Sequence, residues 1–296
     1  MESCDFFISS ETKIHASITR QKEQGREPLL VFLHYWGGTS STWYKLTAPD
    51  SPTSIAGQYP TISLDLRGWG QSTGPASDNG TSYSISAMAT DVLSVLAQID
   101  SHEMNHSLLE HGIVFIGHSM GAKVAFATLN ILPPDLLNKV RGLVLVAPAP
   151  PTPTELPSEM QAQQQAAYQS EESARWTVHN VLSNAANLSS VDIDMLVRGS
   201  FGGNEWAKKA WPLYGMQEDI HGLSCNLLAL RSYPIVRIII GADDIVEPKH
   251  KVESEVISFL EEKHFPFSTR VVANTKHLLP LEAPDVIADE IRQCLG

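Results

Sequence analysis

The chain has 296 residues, enough for one large domain or two modest ones, and its 43% hydrophobic and 18% charged residues fit a folded globule. Disordered and collagen-like compositions are excluded. The 21 Lys and Arg against 33 Asp and Glu give a net charge of -12 with no basic run, which argues against nucleic acid and anionic membrane surfaces as partners. The three cysteines, Cys4, Cys225 and Cys294, show no metal-binding or disulfide spacing, so a reducing compartment is expected. The N-terminus lacks the features of a signal peptide and no stretch approaches the length of a membrane span. A cytoplasmic protein without membrane insertion is expected, with no metal and no cofactor; nothing in the sequence bears on oligomeric state.

In chain order, Asp5 to Ser9 and Lys13 to Thr19 alternate across a short polar turn and predict an antiparallel hairpin at a sheet edge. Apolar runs then recur at Leu29 to Leu33, Thr61 to Leu66, Gly112 to Ile116, Gly142 to Val146, Ile235 to Ile240 and Thr269 to Ala273, as strands buried on both faces of a parallel sheet would. Between them, Ile85, Met88, Val92, Val95, Leu96 and Ile99 form an apolar helical stripe. Strand and helix in alternation predict an α/β, mostly parallel, doubly wound sheet. The alternation stops after Val146: five prolines fall between Ala147 and Pro157, and about seventy residues follow with helical patterns alone. We expect a core of residues 1–150 and 231–296 carrying an inserted helical cap over 151–230. Ser158-x-x-Gln161 predicts a capping box, and Asn204 after Gly202-Gly203 predicts a helix N-cap. Trp176, Trp206 and Trp211 lie in this insertion, where they either hold it together or line an apolar pocket.

Gly117-His-Ser-Met-Gly121 fits the pattern G-x-S-x-G, and so does Gly70-Gln-Ser-Thr-Gly74. The chemistry needs a sharp strand-to-helix turn that presents the serine hydroxyl at a helix N-terminus. Ser119 has a strand before it and a good helix former, Ala122 to Leu132, after it; Ser72 follows a Gly-Trp-Gly turn and precedes Pro75, and is rejected. Glycine at 117 and 121 lets strand and helix pass closely. A serine nucleophile needs a base, and the base an orienting acid, in the chain order Ser, acid, His. The strand at 235–240 runs into Gly241-Ala-Asp-Asp-Ile-Val-Glu-Pro248, and the next strand into a loop containing His277, the predicted base. His250 and His264 also follow the acid but lie in a helical pattern and before a strand. His102-Glu103-Met104-Asn105-His106 matches a zinc-protease pattern without its extension and reads as a solvated loop.

Taken together, Leu33-His-Tyr-Trp-Gly-Gly38, Asp65-Leu-Arg-Gly-Trp-Gly-Gln-Ser72, Gly117-His-Ser-Met-Gly121, Gly241-x-x-Asp244-x-x-x-Pro248 and His277 resemble the α/β-hydrolase superfamily, in its capped esterase, lipase and thioesterase branch. The resemblance implies the acid at Asp244, with Asp243 the alternative, and an oxyanion hole from the backbone N–H groups of Met120 and Trp36. Where the family commonly has His-Gly, this chain has His34-Tyr35; Gly37-Gly38 supplies the loop's freedom instead. Asp65, Arg67, Gly68 and Gly70 read as structural. Serine at the nucleophile position implies attack on a carbonyl rather than the alkyl-enzyme chemistry of dehalogenases. The expected substrate is a small or medium apolar ester, thioester or lactone, with Tyr35, Trp176, Trp206 and Trp211 as pocket candidates. The alternative on the same fold is a ligand receptor, or a biosynthetic cyclase or isomerase.

Overall fold

The hydrophobic runs of the sequence become a single sheet in the computed structural model, which describes residues 1–21, 25–102 and 105–296. Its eight strands are β1 (Glu2–Phe7), β2 (Lys13–Thr19), β3 (Leu29–Leu33), β4 (Thr61–Leu64), β5 (Ile113–His118), β6 (Val140–Val146), β7 (Ile235–Gly241) and β8 (Phe267–Val272). They lie in the order β1-β2-β4-β3-β5-β6-β7-β8. The β1–β2 and β2–β4 pairings are antiparallel, and every later pairing is parallel. Alternate residues of the central strands enter separate cores on the two faces. Val31, Phe115 and Leu143 pack with the helix Ile85–Ser101 on one side, and Phe32, Ile116 and Val144 with the helix Pro284–Leu295 on the other.

Three features differ from the expectation, each for a physical reason. The hairpin turns earlier than predicted, because Ile8 and Ser9 both donate to the Thr12 carbonyl and end β1 at Phe7. The last strand, β8, is not buried on both faces: it pairs with β7 alone at the sheet edge, and its residues are half-buried or exposed. Ser158 does not cap its helix. Pro157, extended at φ -51° and ψ 142°, takes the N-cap position, and its carbonyl accepts the Gln161 N–H at 3.0 Å. The Gln161 side chain instead donates to the Pro212 carbonyl at 2.7 Å. Asn204 does cap the helix Glu205–Leu213, accepting from Trp206 N at 2.8 Å.

Between β6 and β7 the chain forms only helical elements, chiefly Ser158–Ala166, Glu171–Thr177, Ser190–Phe201 and Glu205–Leu213. Lys123, on the helix Met120–Ile131, fastens this segment: its buried Nζ donates to the carbonyls of Thr152 (3.1 Å) and Met216 (2.9 Å). The H-E-x-x-H string lies partly outside the described residues, which lack Glu103 and Met104. Among the described residues no group of three or more His, Cys, Asp or Glu side chains is disposed to hold a metal ion. No helix among them is long and apolar enough to cross a membrane.

Candidate active site

Parallel strands gather their carboxyl ends along one edge of the sheet, and the loops that leave that edge bring distant residues together. Trp36 follows β3, Ser119 follows β5, Asp244 follows β7 and His277 follows β8. Ser119 stands at the N-cap of the helix Met120–Ile131 with φ 54° and ψ -115°, a conformation that residues other than glycine rarely hold. Close packing enforces the turn. A Cβ on Gly121 would come within 2.3 Å of the Leu33 carbonyl oxygen, and one on Gly117 within 2.6 Å of Ala122 Cα. The Ser119 N–H donates to the Val146 carbonyl at 3.0 Å, which ties the turn to the neighbouring strand. Met120 is the first residue of the helix, where backbone N–H groups have no acceptor within the helix itself.

His277 and Asp244 are both almost fully buried, and His277 Nδ1 donates to Asp244 Oδ2 at 2.8 Å. The other carboxylate oxygen, Oδ1, accepts the N–H groups of Val246 (2.8 Å) and Glu247 (3.1 Å). Burial pushes the Asp244 carboxyl up, but His277 and these N–H donors outweigh it, and the group lies below the usual carboxylate value. For His277, burial favours the neutral ring, yet the Asp244 charge prevails and holds the imidazole above its ordinary value. Asp243, the alternative acid, is exposed and meets the His277 loop through its backbone, its N–H donating to the Thr275 carbonyl at 2.9 Å. The backbone of His277 is held from two sides: its N–H donates to the Leu182 carbonyl at 3.0 Å, and its carbonyl accepts from His118 Nε2 at 2.8 Å. Full burial keeps the His118 pKa well below normal, so that ring is neutral and acts as a brace.

The loop after β3 is braced in the same way. His34 Nδ1 donates to the Tyr35 carbonyl at 2.7 Å while its Nε2 accepts the Leu66 N–H at 2.9 Å, which fixes one neutral tautomer; burial lowers its pKa to about 4. Gly37, at φ 96°, makes the turn that Tyr35 could not. The Asp65 segment is structural. Asp65 accepts from Ser40 N at 2.6 Å and Gln71 N at 2.8 Å, and Arg67 grips Asp91 through two hydrogen bonds of 2.7 and 2.6 Å. The rejected Ser72 is buried and donates to the Asp65 carbonyl.

Ser119 and His277 open onto a cavity of about 290 Å³. Of the four pocket candidates, Tyr35, Trp176 and Trp211 line it, and Trp36 lines it as well. Trp206 does not. It sits half-buried with its Nε1 donating to the Ala76 carbonyl at 3.1 Å, on the side of its helix away from the cavity. Sequence reasoning missed Tyr168, whose hydroxyl donates to the Trp36 carbonyl at 3.1 Å and whose ring lies 4.4 Å from the Trp36 ring, centroid to centroid. It also missed Glu247 and Lys251 on the cavity wall. The Glu247 signal was available: a carboxylate three residues beyond the acid and next to Pro248.

The solved structures similar to this chain share its fold at low identity. A bromoperoxidase from Bacillus anthracis superposes with a TM-score of 0.75 at 14% identity, covering 99% of each chain. An esterase from Exiguobacterium antarcticum gives 0.72 at 19% identity over 96% of each chain, and an enol-lactonase from Burkholderia xenovorans LB400 gives 0.70 at 16% identity over 96% of each. No curated protein matches the sequence. The sequence profile of the alpha/beta hydrolase family matches residues 30–290, nearly the whole chain, and with the eight-stranded sheet this makes the protein a member of the alpha/beta hydrolase family.

Proposed function

We propose that the protein is a serine hydrolase that cleaves a small or medium, largely apolar carboxylic ester, thioester or lactone. The observation that carries this reading is the 2.8 Å Asp244–His277 hydrogen bond beside a cavity that Ser119 shares. The volume, about 290 Å³, is at the small end of ligand pockets.

In this mechanism, neutral His277 takes the Ser119 hydroxyl proton on Nε2 as Oγ attacks the substrate carbonyl. Asp244 keeps the ring in the tautomer with its proton on Nδ1 and stabilises the imidazolium that forms. The N–H groups of Met120 and Trp36 receive the developing oxyanion, each donor contributing about 2.7 to 4 kcal/mol. The imidazolium returns its proton to the leaving alcohol, thiol or lactone oxygen, leaving an acyl-enzyme. Water, deprotonated by the same His277, then releases the acid and restores Ser119. The helical segment between β6 and β7 acts as a cap over the acyl group, with Trp211 and Tyr168 as apolar walls.

The test is hydrolysis of p-nitrophenyl esters of increasing acyl length by wild type and Ser119→Ala. We expect a loss in kcat of about 10⁴ or more in the variant with its fold intact. A folded wild type that turns over none of the esters and leaves Ser119 unlabelled by a fluorophosphonate would instead favour a ligand receptor, cyclase or isomerase on this fold.

A further inference from the structure

The proposed chemistry leaves two charged side chains on the cavity wall without a task. Glu247 and Lys251 line the same space as Ser119 and His277, together with apolar neighbours such as Leu156, Trp211 and Met216. They form an ion pair one helical turn apart, Lys251 Nζ to Glu247 Oε2 at 3.0 Å, with side chains only 17% and 3% exposed. A pair that merely supported a helix start would sit in solvent, as the neighbouring Lys249–Glu253 pair does at 55% and 50% exposure. Inside a largely apolar cavity, two hydrophobic side chains would be at least as stabilising.

The Glu247 carboxylate is also short of partners. Buried carboxylates ordinarily accept several hydrogen bonds. Here Oε2 is fully buried, and the partner it meets is the Lys251 ammonium at 3.0 Å. Burial pushes this carboxyl up to about 7 despite the attraction of Lys251. The residue is rigidly presented, because its own N–H is bound to Asp244 Oδ1 at 3.1 Å in the turn that aims the acid at His277. A carboxylate is therefore held in place on the wall of the pocket, with Lys251 beside it.

The charge around it bears on what a substrate could bring to this wall. Lys251 is paired with Glu247, and Asp244 and Glu282 add negative potential near His277, which disfavours an anionic substrate. A cationic one would compete with Lys251 for the same oxygen. A neutral hydroxyl donates without adding charge. We propose that Glu247, steadied by Lys251, is the polar anchor of the cavity and selects esters or lactones that carry a hydroxyl group on an otherwise apolar skeleton. This rests on the serine hydrolase reading above.

The experiment compares matched pairs: p-nitrophenyl butyrate with p-nitrophenyl 3-hydroxybutyrate for the acyl side, and butyl butyrate with 4-hydroxybutyl butyrate for the alcohol side. In wild type at least one hydroxylated member should exceed its partner in kcat/KM by about tenfold or more. That ratio should fall toward one in Glu247→Leu and be partly kept in Glu247→Gln, which retains a carbonyl acceptor. Because each ratio is measured within one variant, general damage to the catalyst cancels. Glu247→Leu strands Lys251, so the double variant Glu247→Leu, Lys251→Met gives the same reading where the single one fails to fold. Turnover of the plain esters with ratios near one in wild type, or ratios unchanged by the substitutions, overturns the anchor and leaves the hydrolase standing. No turnover of any ester, with Ser119 unlabelled by a fluorophosphonate, overturns both.

Discussion

At the scale of single residues, the electrostatics around His277 predict a pH profile. Burial lowers its pKa, and the Asp244 carboxylate at 2.8 Å, with Glu247 and Glu282 further off, raises it by more, so the free protein holds the ring above the ordinary 6.5. In the proposed mechanism His277 is the general base, and a base works only when neutral. Activity is therefore lost as pH falls through this raised pKa and is full above it, and kcat/KM against pH should show an ascending limb centred above 6.5. Asp244→Asn should move that limb down and lower kcat by about 10³ to 10⁴, because the amide no longer stabilises the imidazolium. Asp243→Asn, altering an exposed carboxylate outside the His277 hydrogen bond, should change kcat by no more than about twofold. Kinetics on the two variants decide between the acids. Strand order narrowed the choice to this pair and the family resemblance implied Asp244, but neighbouring residues on a turn point in different directions, and the folded loop is what brings Asp244 to His277.

At the scale of elements, the turn between β5 and the helix Met120–Ile131 depends on contact with β3. Gly121→Ala would push a methyl group to within 2.3 Å of the Leu33 carbonyl oxygen, a backbone atom that cannot swing aside. We expect a loss of about 1 to 3 kcal/mol in stability from overpacking. Activity should fall further than stability, since any relief moves Ser119 relative to His277; thermal melting and kcat measured on the same preparation check both. This turn was legible in the sequence because it is local: an apolar strand, a glycine-flanked serine and a helix former lie within about twenty residues. The helix starts between β6 and β7 were less legible. Asn204 caps by its own side chain, a property of residue type, whereas the expected Ser158 box gave way because Gln161 is drawn to Pro212, fifty-one residues away.

At the scale of the whole molecule, the helical segment between β6 and β7 has a fastened part and an open part. Its 180–187 stretch is sewn to the His277 loop: the Leu182 carbonyl accepts from His277 and Leu278 (3.0 and 2.9 Å), the Asn180 carbonyl from Lys276 Nζ (2.9 Å), and Glu282 accepts from Asn184 N (3.0 Å). The helix Ser158–Ala166, in contrast, has no buried residue, and Met160 and Trp176 line the cavity while 50% and 61% exposed. In the proposed function such residues would meet the outer end of a substrate rather than the reacting carbonyl. Trp176→Ala should therefore raise KM for the longest accepted acyl esters roughly three- to tenfold while leaving acetyl esters unchanged. Its melting temperature should stay close to wild type, as for other exposed substitutions. An equal effect at every acyl length would place Trp176 outside the acyl path.

By itself the sequence determined the order of strands and helices, the rejection of Ser72, and Ser119 and His277 as candidates, because periodicity, turn chemistry and strand-to-loop order are short-range properties. Tertiary structure alone decided which side chains share the cavity. Trp206 and Trp211 stand five positions apart on one helix, about 140° around its axis at 100° per residue, so one enters the cavity and the other leaves it. Tyr168 and Glu247 reach the site from segments roughly eighty residues apart, and no local pattern in either records where the other will lie.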